Sequence, residues 1–225
     1  MNENEWTKII CVKLNDFFEP NNLREYIKLH DGIDLEADID LHAETRQKIP
    51  YSQVISGYSE DWEPEYKDPR PFETDLVIYE LKDGKRIPRV IVEAKVKGIT
   101  SHDAITYSYK AEKHKNLTPH LRYGIMIGEH GDKALPGRLF YHGTNFDFMF
   151  SFSFLEDEEP FKTELETFTD MILKEVVYSK TMENILEDSN KKGRTRYYMM
   201  QKQLVLAKQD TSTHKKSEEK KNKKK

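Results

Sequence analysis

Apolar residues recur at helical spacing near the start of the chain, at Trp6, Ile10, Leu14 and Phe17. This predicts an amphipathic helix over 5–18, stopped near Pro20. A second short helix is expected over 22–29, closed by Asp31-Gly32. The acid-rich stretch 34–46 reads as a further helix carrying Glu36 and Glu44, residues 51–58 as a strand. Residues 61–71, with Trp62, Pro64, Tyr66 and Pro69, read as a long functional loop. Two apolar runs, Leu76-Val77-Ile78-Tyr79 and Val90-Ile91-Val92, predict strands over 75–81 and 89–96. The Asp83-Gly84 turn between them makes an antiparallel hairpin. Thr100 or Ser101 caps a helix running to 115, with Asp103 in capping-box register after Thr100.

Further on, 123–128 predicts a short buried strand, and 139–141 with 145–154 a strand pair joined by His142-Gly143-Thr144. Five phenylalanines, at 146, 148, 150, 152 and 154, alternate along one face. Core packing is the default for such a face, and a subunit interface is the alternative. Pro160 starts a helix over 161–186, and 194–209 holds one more element. The order predicts an α+β fold, α/β/α-like, in which a mixed central β-sheet is flanked by helices. A single domain is expected over 1–210, with its core at 40–155 and a C-terminal helix at 161–187. Residues 211–225 form a lysine-rich tail expected to be disordered.

Charge divides the chain. Residues 191–225 hold 13 Lys/Arg against 3 Asp/Glu, leaving 23 against 37 in the first 190. An acidic body does not bind nucleic acid by bulk charge; it needs local basic patches, the tail, or metal ions that screen its carboxylates. Cys11 is the only cysteine, so no intrachain disulfide forms and a reducing compartment is expected. Met1 to Glu5 is unlike a signal peptide. No apolar run approaches the roughly 18 residues of a membrane span. The expectation is a soluble, cytoplasmic protein with no membrane partner.

The chemistry gathers between Pro71 and Lys115. Side chains alternate along a strand, so Glu93 and Lys95 share a face while Ala94 is turned away. In a registered hairpin, Asp75 lies near Glu93 at one end of the sheet. Two carboxylates that close repel unless a cation sits between them, and oxygen ligation suits Mg2+, or Mn2+. Lys95 is then placed to orient a water or to stabilise charge growing on a phosphate.

Asp75, followed after a gap by Glu93-Ala94-Lys95, resembles the PD-(D/E)XK nuclease superfamily, which includes most type II restriction endonucleases. The resemblance covers roughly residues 40–130, through the order helix, three strands, helix, strand. It implies a restriction-endonuclease-like core in which Asp75, Glu93 and the Ala94 carbonyl bind Mg2+. It also implies that Lys95 assists a hydrolysis leaving a 5′-phosphate. Family members often add a glutamate from the helix before the first strand; Glu44 is the candidate, ahead of Glu36. Thr74 stands where the family often has proline. In some relatives the following helix donates a polar residue and a tyrosine to the site; Asp103 and Tyr107 have similar spacing, but the glutamine of that motif is absent.

Lys110, Lys113, His114 and Lys115, with Arg122, are candidates for phosphate contacts, as are Arg194 and Arg196. A solvated basic face is the plain alternative. There is no HExxH, no GxxxxGK and no serine nucleophile elbow. The sequence thus points to a Mg2+-dependent endonuclease acting on double-stranded DNA, most like a type II restriction enzyme, a homodimer being one arrangement open to it. A cognate methyltransferase would be a separate protein. A repair, phage or mobile-element nuclease of the same fold is the alternative, as is a non-catalytic DNA-binding or assembly protein on that scaffold.

Overall fold

The computed structural model describes residues 1–29, 33–36, 38–156, 159–188 and 205–206. Helix α1 (Glu3–Phe18) starts at a capping box in which Asn2 and Glu5 bond reciprocally. It buries Trp6, Ile10, Leu14 and Phe18, one residue per turn. Helix α2 (Pro20–Leu29) follows at once, with Pro20 in its first turn.

The segment expected as a helix over 34–46 is not one: the Ile39 N–H bonds the Glu36 carbonyl (3.1 Å) across a turn at Asp38, and strand β1 (Leu41–Thr45) follows. Ile33, Leu35, Ile39, Leu41 and Ala43 are buried among its acids. The loop expected over 61–71 is also a strand. β2 (Lys48–Tyr58) and β3 (Pro64–Glu73) pair as an antiparallel two-stranded arm separate from the main sheet. Both strands of such a ribbon have an unpaired side, so prolines that lack an N–H are tolerated there. At its root, Ile49 joins the cluster of Val77, Ile91, Ala111, Leu121 and Tyr123. Beyond the root the arm is exposed, including Tyr58, Trp62 and Tyr66.

Strands β4 (Leu76–Lys82) and β5 (Lys85–Val96) form the expected hairpin, with Asp83 and Gly84 both at positive φ. Helix α3 (Ser101–Leu117) begins at the Thr100–Asp103 capping box. It crosses to β6 (Arg122–Gly128), which runs parallel to β5. In place of the strand pair expected over 139–154 there is a short helix α4 (Gly137–His142), entered from Pro136, and a four-residue strand β7 (Phe148–Ser151). Helix α5 (Glu159–Asp188) completes the described elements. The main sheet has the order β1-β4-β5-β6-β7 and is mixed: β1, β4 and β5 are antiparallel neighbours, β6 and β7 parallel additions.

One face of the sheet, with Leu76, Ile78, Val90, Val92 and Ala94, packs under α1 and α5. The opposite face carries α3. The phenylalanine stripe serves this core: Phe148 and Phe152 are buried, Phe150 and Phe154 pack against the same cluster, and Phe161 and Phe168 of α5 lie over them. Phe146 turns to the other face, against the clusters around Tyr123 and Ile125. On the α5 side, a register shift opposite Ile78 and Tyr79 brings Arg89 to Glu80 and Glu183, at 2.5 and 2.7 Å from its Nη2. The outer edge of β1 is closed at one residue by Asn15, whose side chain accepts the Ala43 N–H (2.8 Å) and donates to the Ala43 carbonyl (2.9 Å). Among the described residues no helix is long and apolar enough to cross a membrane. The tail over 211–225, the element expected over 194–209 apart from the exposed Val205 and Leu206, and Arg194 and Arg196 lie outside the described residues, as does the Asp31-Gly32 closure.

Candidate active site

The hairpin register decides the central question. Leu76 pairs with Val92, so Asp75, immediately before β4, stands opposite Glu93. Its Oδ2 accepts the Ala94 N–H at 2.8 Å, a bond that continues the ladder where β4 has not yet begun. The N–H and carbonyl of one strand residue point to the same side. The Ala94 carbonyl therefore also faces the Asp75 side of β5.

Glu93 is 1% exposed. Its Oε1 accepts the Tyr123 hydroxyl and lies 3.4 Å from the Lys110 ammonium. Its Oε2 is buried with no hydrogen-bond partner. Burial pushes the Glu93 carboxyl up to about 7; the Asp75 charge and a shared-proton contact with Asp75 push the same way, while Lys110 and Tyr123 oppose them. Lys95 emerges on the same face two residues on. Its ammonium lies 3.3 Å from Glu3 Oε2, 3.7 Å from Asp103 Oδ1, and over the Tyr107 ring. Burial alone would lower the Lys95 pKa, but the Tyr107 oxygen and the charges of Glu3 and Asp103 outweigh it and hold the pKa above its usual value.

Asp75 and Glu93 thus meet, and Lys95 follows on the same face of β5, with Asp103 and Tyr107 of α3 beside it. Glu44 does not join them. It sits opposite Val77, and its carboxylate is taken by the Tyr79 hydroxyl (2.8 Å) and Arg86 (3.2 Å). Glu36 pairs with Lys180 of α5 at 3.3 Å. The glutamate that does reach the site from a helix is Glu3, in the first turn of α1. Glu3 falls just outside the helix expected over 5–18, which the structure extends to Glu3, and 34–46, where the helical glutamate is expected, is not a helix.

The basic candidates mostly have other work. His114 is buried, with Nδ1 3.2 Å from the Pro50 carbonyl; burial pushes its pKa down to about 4, so the ring is neutral at pH 7. Lys115 and Arg122 both hold Asp147, at 2.6 and 3.1 Å, and Arg122 also holds Glu175 at 2.6 Å. Lys110 bridges Glu93 and the Glu73 carbonyl (3.3 Å) at the arm's root. Lys113 lies over the Tyr109 ring.

Among the described residues no group of three or more His, Cys, Asp or Glu side chains is arranged around one metal position. The donor set at the β4–β5 end is two carboxylates and a backbone carbonyl. That set fits Mg2+, which keeps several waters and takes one or two carboxylates. Oε2 of Glu93 is buried without a hydrogen-bond donor beside a second carboxylate, where a proton or a cation would offset the charge.

No protein-family model matches the chain, and no curated protein matches it.

Proposed function

We propose that this protein is a divalent-metal-dependent nuclease that hydrolyses phosphodiester bonds in double-stranded DNA, with a PD-(D/E)XK site of the type II restriction endonuclease kind. The observation that carries the reading is the placement of Asp75 against the buried Glu93 with Lys95 on the same face. An Asp-gap-Glu-x-Lys pattern alone is common; side chains meeting at the end of a buried strand are far less so. Further support comes from the element order. The order is met by other elements than those expected: α1 stands in for the helix over 34–46 and β1 for the strand over 51–58, and β1, β4, β5, α3 and β6 then run three strands, helix, strand, with α2 and the β2–β3 arm as additions.

In this reading Asp75, Glu93 and the Ala94 carbonyl hold Mg2+ or Mn2+. The ion, when bound, polarises a phosphate oxygen and lowers the pKa of a bound water. Lys95, kept charged by Glu3, Asp103 and Tyr107, meets the attacking water or the phosphate oxygen on which charge grows. Glu3 and Tyr107 set the position of the ammonium.

Plasmid DNA incubated with the protein and Mg2+ or Mn2+ tests the reading. Cleavage is expected for wild type and lost in Asp75→Ala and Lys95→Ala. Discrete fragments mark a restriction enzyme, and a smear marks a less selective nuclease of the same fold. Wild-type protein that binds DNA but leaves it intact with every divalent metal overturns the catalytic assignment.

A further inference from the structure

Tyr123 lies on β6, beneath α3, and is fully buried. Its hydroxyl donates to Oε1 of Glu93 on the neighbouring strand. The phenol ring is itself fixed: it stacks on His114 at 5.7 Å between centroids and 24° between planes, and the His114 Nδ1 meets the Pro50 carbonyl. A neutral His114 donates that bond from Nδ1.

The two oxygens of Glu93 are consequently unequal. Oε1 carries both donors, Tyr123 Oη and Lys110 Nζ, whereas Oε2 is buried with none. A carboxylate free to rotate about its last bond would share its donors between the two oxygens. Here the tyrosine pins one oxygen, and the other is left for a ligand that brings positive charge. Carboxylates that ligate metals are commonly held by hydrogen bonds of this kind, and removing one weakens metal binding.

We propose that Tyr123 is a positioning residue for Glu93, holding Oε1 so that Oε2 is presented to the divalent cation. This rests on the metal-dependent reading above and adds to it a residue from a different strand, 30 positions from Glu93 in the chain. Tyr123 touches neither metal nor substrate; it acts through the carboxylate. A purely structural tyrosine would serve the core through its ring alone.

The Tyr123→Phe variant separates these roles, because it keeps the ring and its stacking on His114 while deleting the hydroxyl. Mn2+ binding is measured by calorimetry on the full-length protein at pH 7.5, and thermal unfolding is measured without metal. The proposal expects binding weakened by about tenfold or more, with metal-free unfolding still a single transition. Equal Mn2+ affinity in the variant and wild type overturns it while leaving the nuclease reading intact. Wild-type protein that binds no divalent ion overturns both. Should Tyr123→Phe fail to fold, NMR on wild-type protein with 13Cζ-labelled tyrosine takes its place. The tyrosine resonance perturbed by Glu93→Gln is expected to shift on Mg2+ addition, and no shift of that resonance overturns the proposal.

Discussion

Asp75 accepts the backbone N–H of Ala94 at 2.8 Å while its charge raises the pKa of Glu93, the residue just before. Burial is the larger cause of that rise, and Asp75 adds to it with the same carboxylate that closes the ladder. The consequence is a cost that depends on pH. Glu93 carries an ordinary value of 4.5 when exposed and about 7 in the fold. Between those values the folded protein holds a proton that the unfolded chain releases. Stability is therefore complete below about pH 4.5 and falls as pH rises to 7, by on the order of 3 kcal/mol from this group. Melting temperatures at pH 5 and pH 7.5 in EDTA are expected to show the fall, and Glu93→Gln to flatten it. Parallel profiles for the two proteins would exclude the carboxylate pair as its source. Mg2+ is expected to restore stability at the higher pH.

Glu3 offers a separate test. Its ion pair with Lys95 is partly exposed, so it contributes little to stability, typically about 0–1 kcal/mol. Glu3→Gln leaves the Asn2–Glu5 cap in place and is expected to change the melting temperature by no more than about 4 °C. Cleavage is expected to drop by about tenfold, because an ammonium held loosely loses part of its positional advantage. An unchanged cleavage rate would remove Glu3 from the site.

The legible part of this fold was its local chemistry. The Asp83-Gly84 turn, the Thr100–Asp103 box and the helical spacing from Trp6 each depend on a few neighbouring residues. The opposition of Asp75 and Glu93 does not follow from that turn alone: its register would set Asp75 opposite Val92, and the extra residue at Arg89 shifts the pairing by one to Glu93. β1 is hard to read because its five residues offer only Leu41 and Ala43 as an apolar alternation, and the acids just before it, Asp34, Glu36, Asp38 and Asp40, favour an acidic helix. β3 was hidden by prolines that only an edge position tolerates. The roles of Lys115 and Arg122 were not readable, since Asp147 and Glu175 reach them from far along the chain. The same holds for Tyr123, which looked like an ordinary apolar-strand aromatic.

Arg89 predicts a stability effect away from the site. It is fully buried between Glu80 and Glu183, with Lys180 also on Glu80 at 3.0 Å. Burial would raise the Glu80 pKa, but Lys180 and Arg89 outweigh it and hold the carboxyl below its usual value. Arg89→Ala leaves buried carboxylates undercompensated, at a cost of about 3–5 kcal/mol. Urea unfolding is expected to show that loss, with Mn2+ affinity of the folded variant unchanged. A drop in affinity would mean that the two ends of β5 are coupled.

Asn15 guards the β1 edge through both the oxygen and the nitrogen of its side-chain amide on Ala43. Asn15→Ala leaves the Ala43 N–H unpaired at a sheet edge, while the Cys11 thiol still reaches the Ala43 carbonyl at 3.3 Å; the loss costs about 1–3 kcal/mol and opens the edge to strand pairing. Light scattering across a concentration series is expected to show association that wild type does not. Monodisperse variant protein would mean that α1 alone is enough to shield the edge.

The arm has two parts with different dependencies. Its outer half, through Tyr58, Trp62 and Tyr66, is solvent-exposed. Its root lends two backbone carbonyls to the interior: Pro50 to His114 beneath Tyr123, and Glu73 to Lys110 beside Glu93. A shortened arm rejoined between Val54 and Lys67 therefore preserves both anchors, whereas excising 48–73 strands a buried imidazole and an ammonium at once. Insertions, tags or exchanged recognition sequences belong at the tip. The root is inherited with the site, and any transplant of one without the other carries the missing carbonyls as its defect.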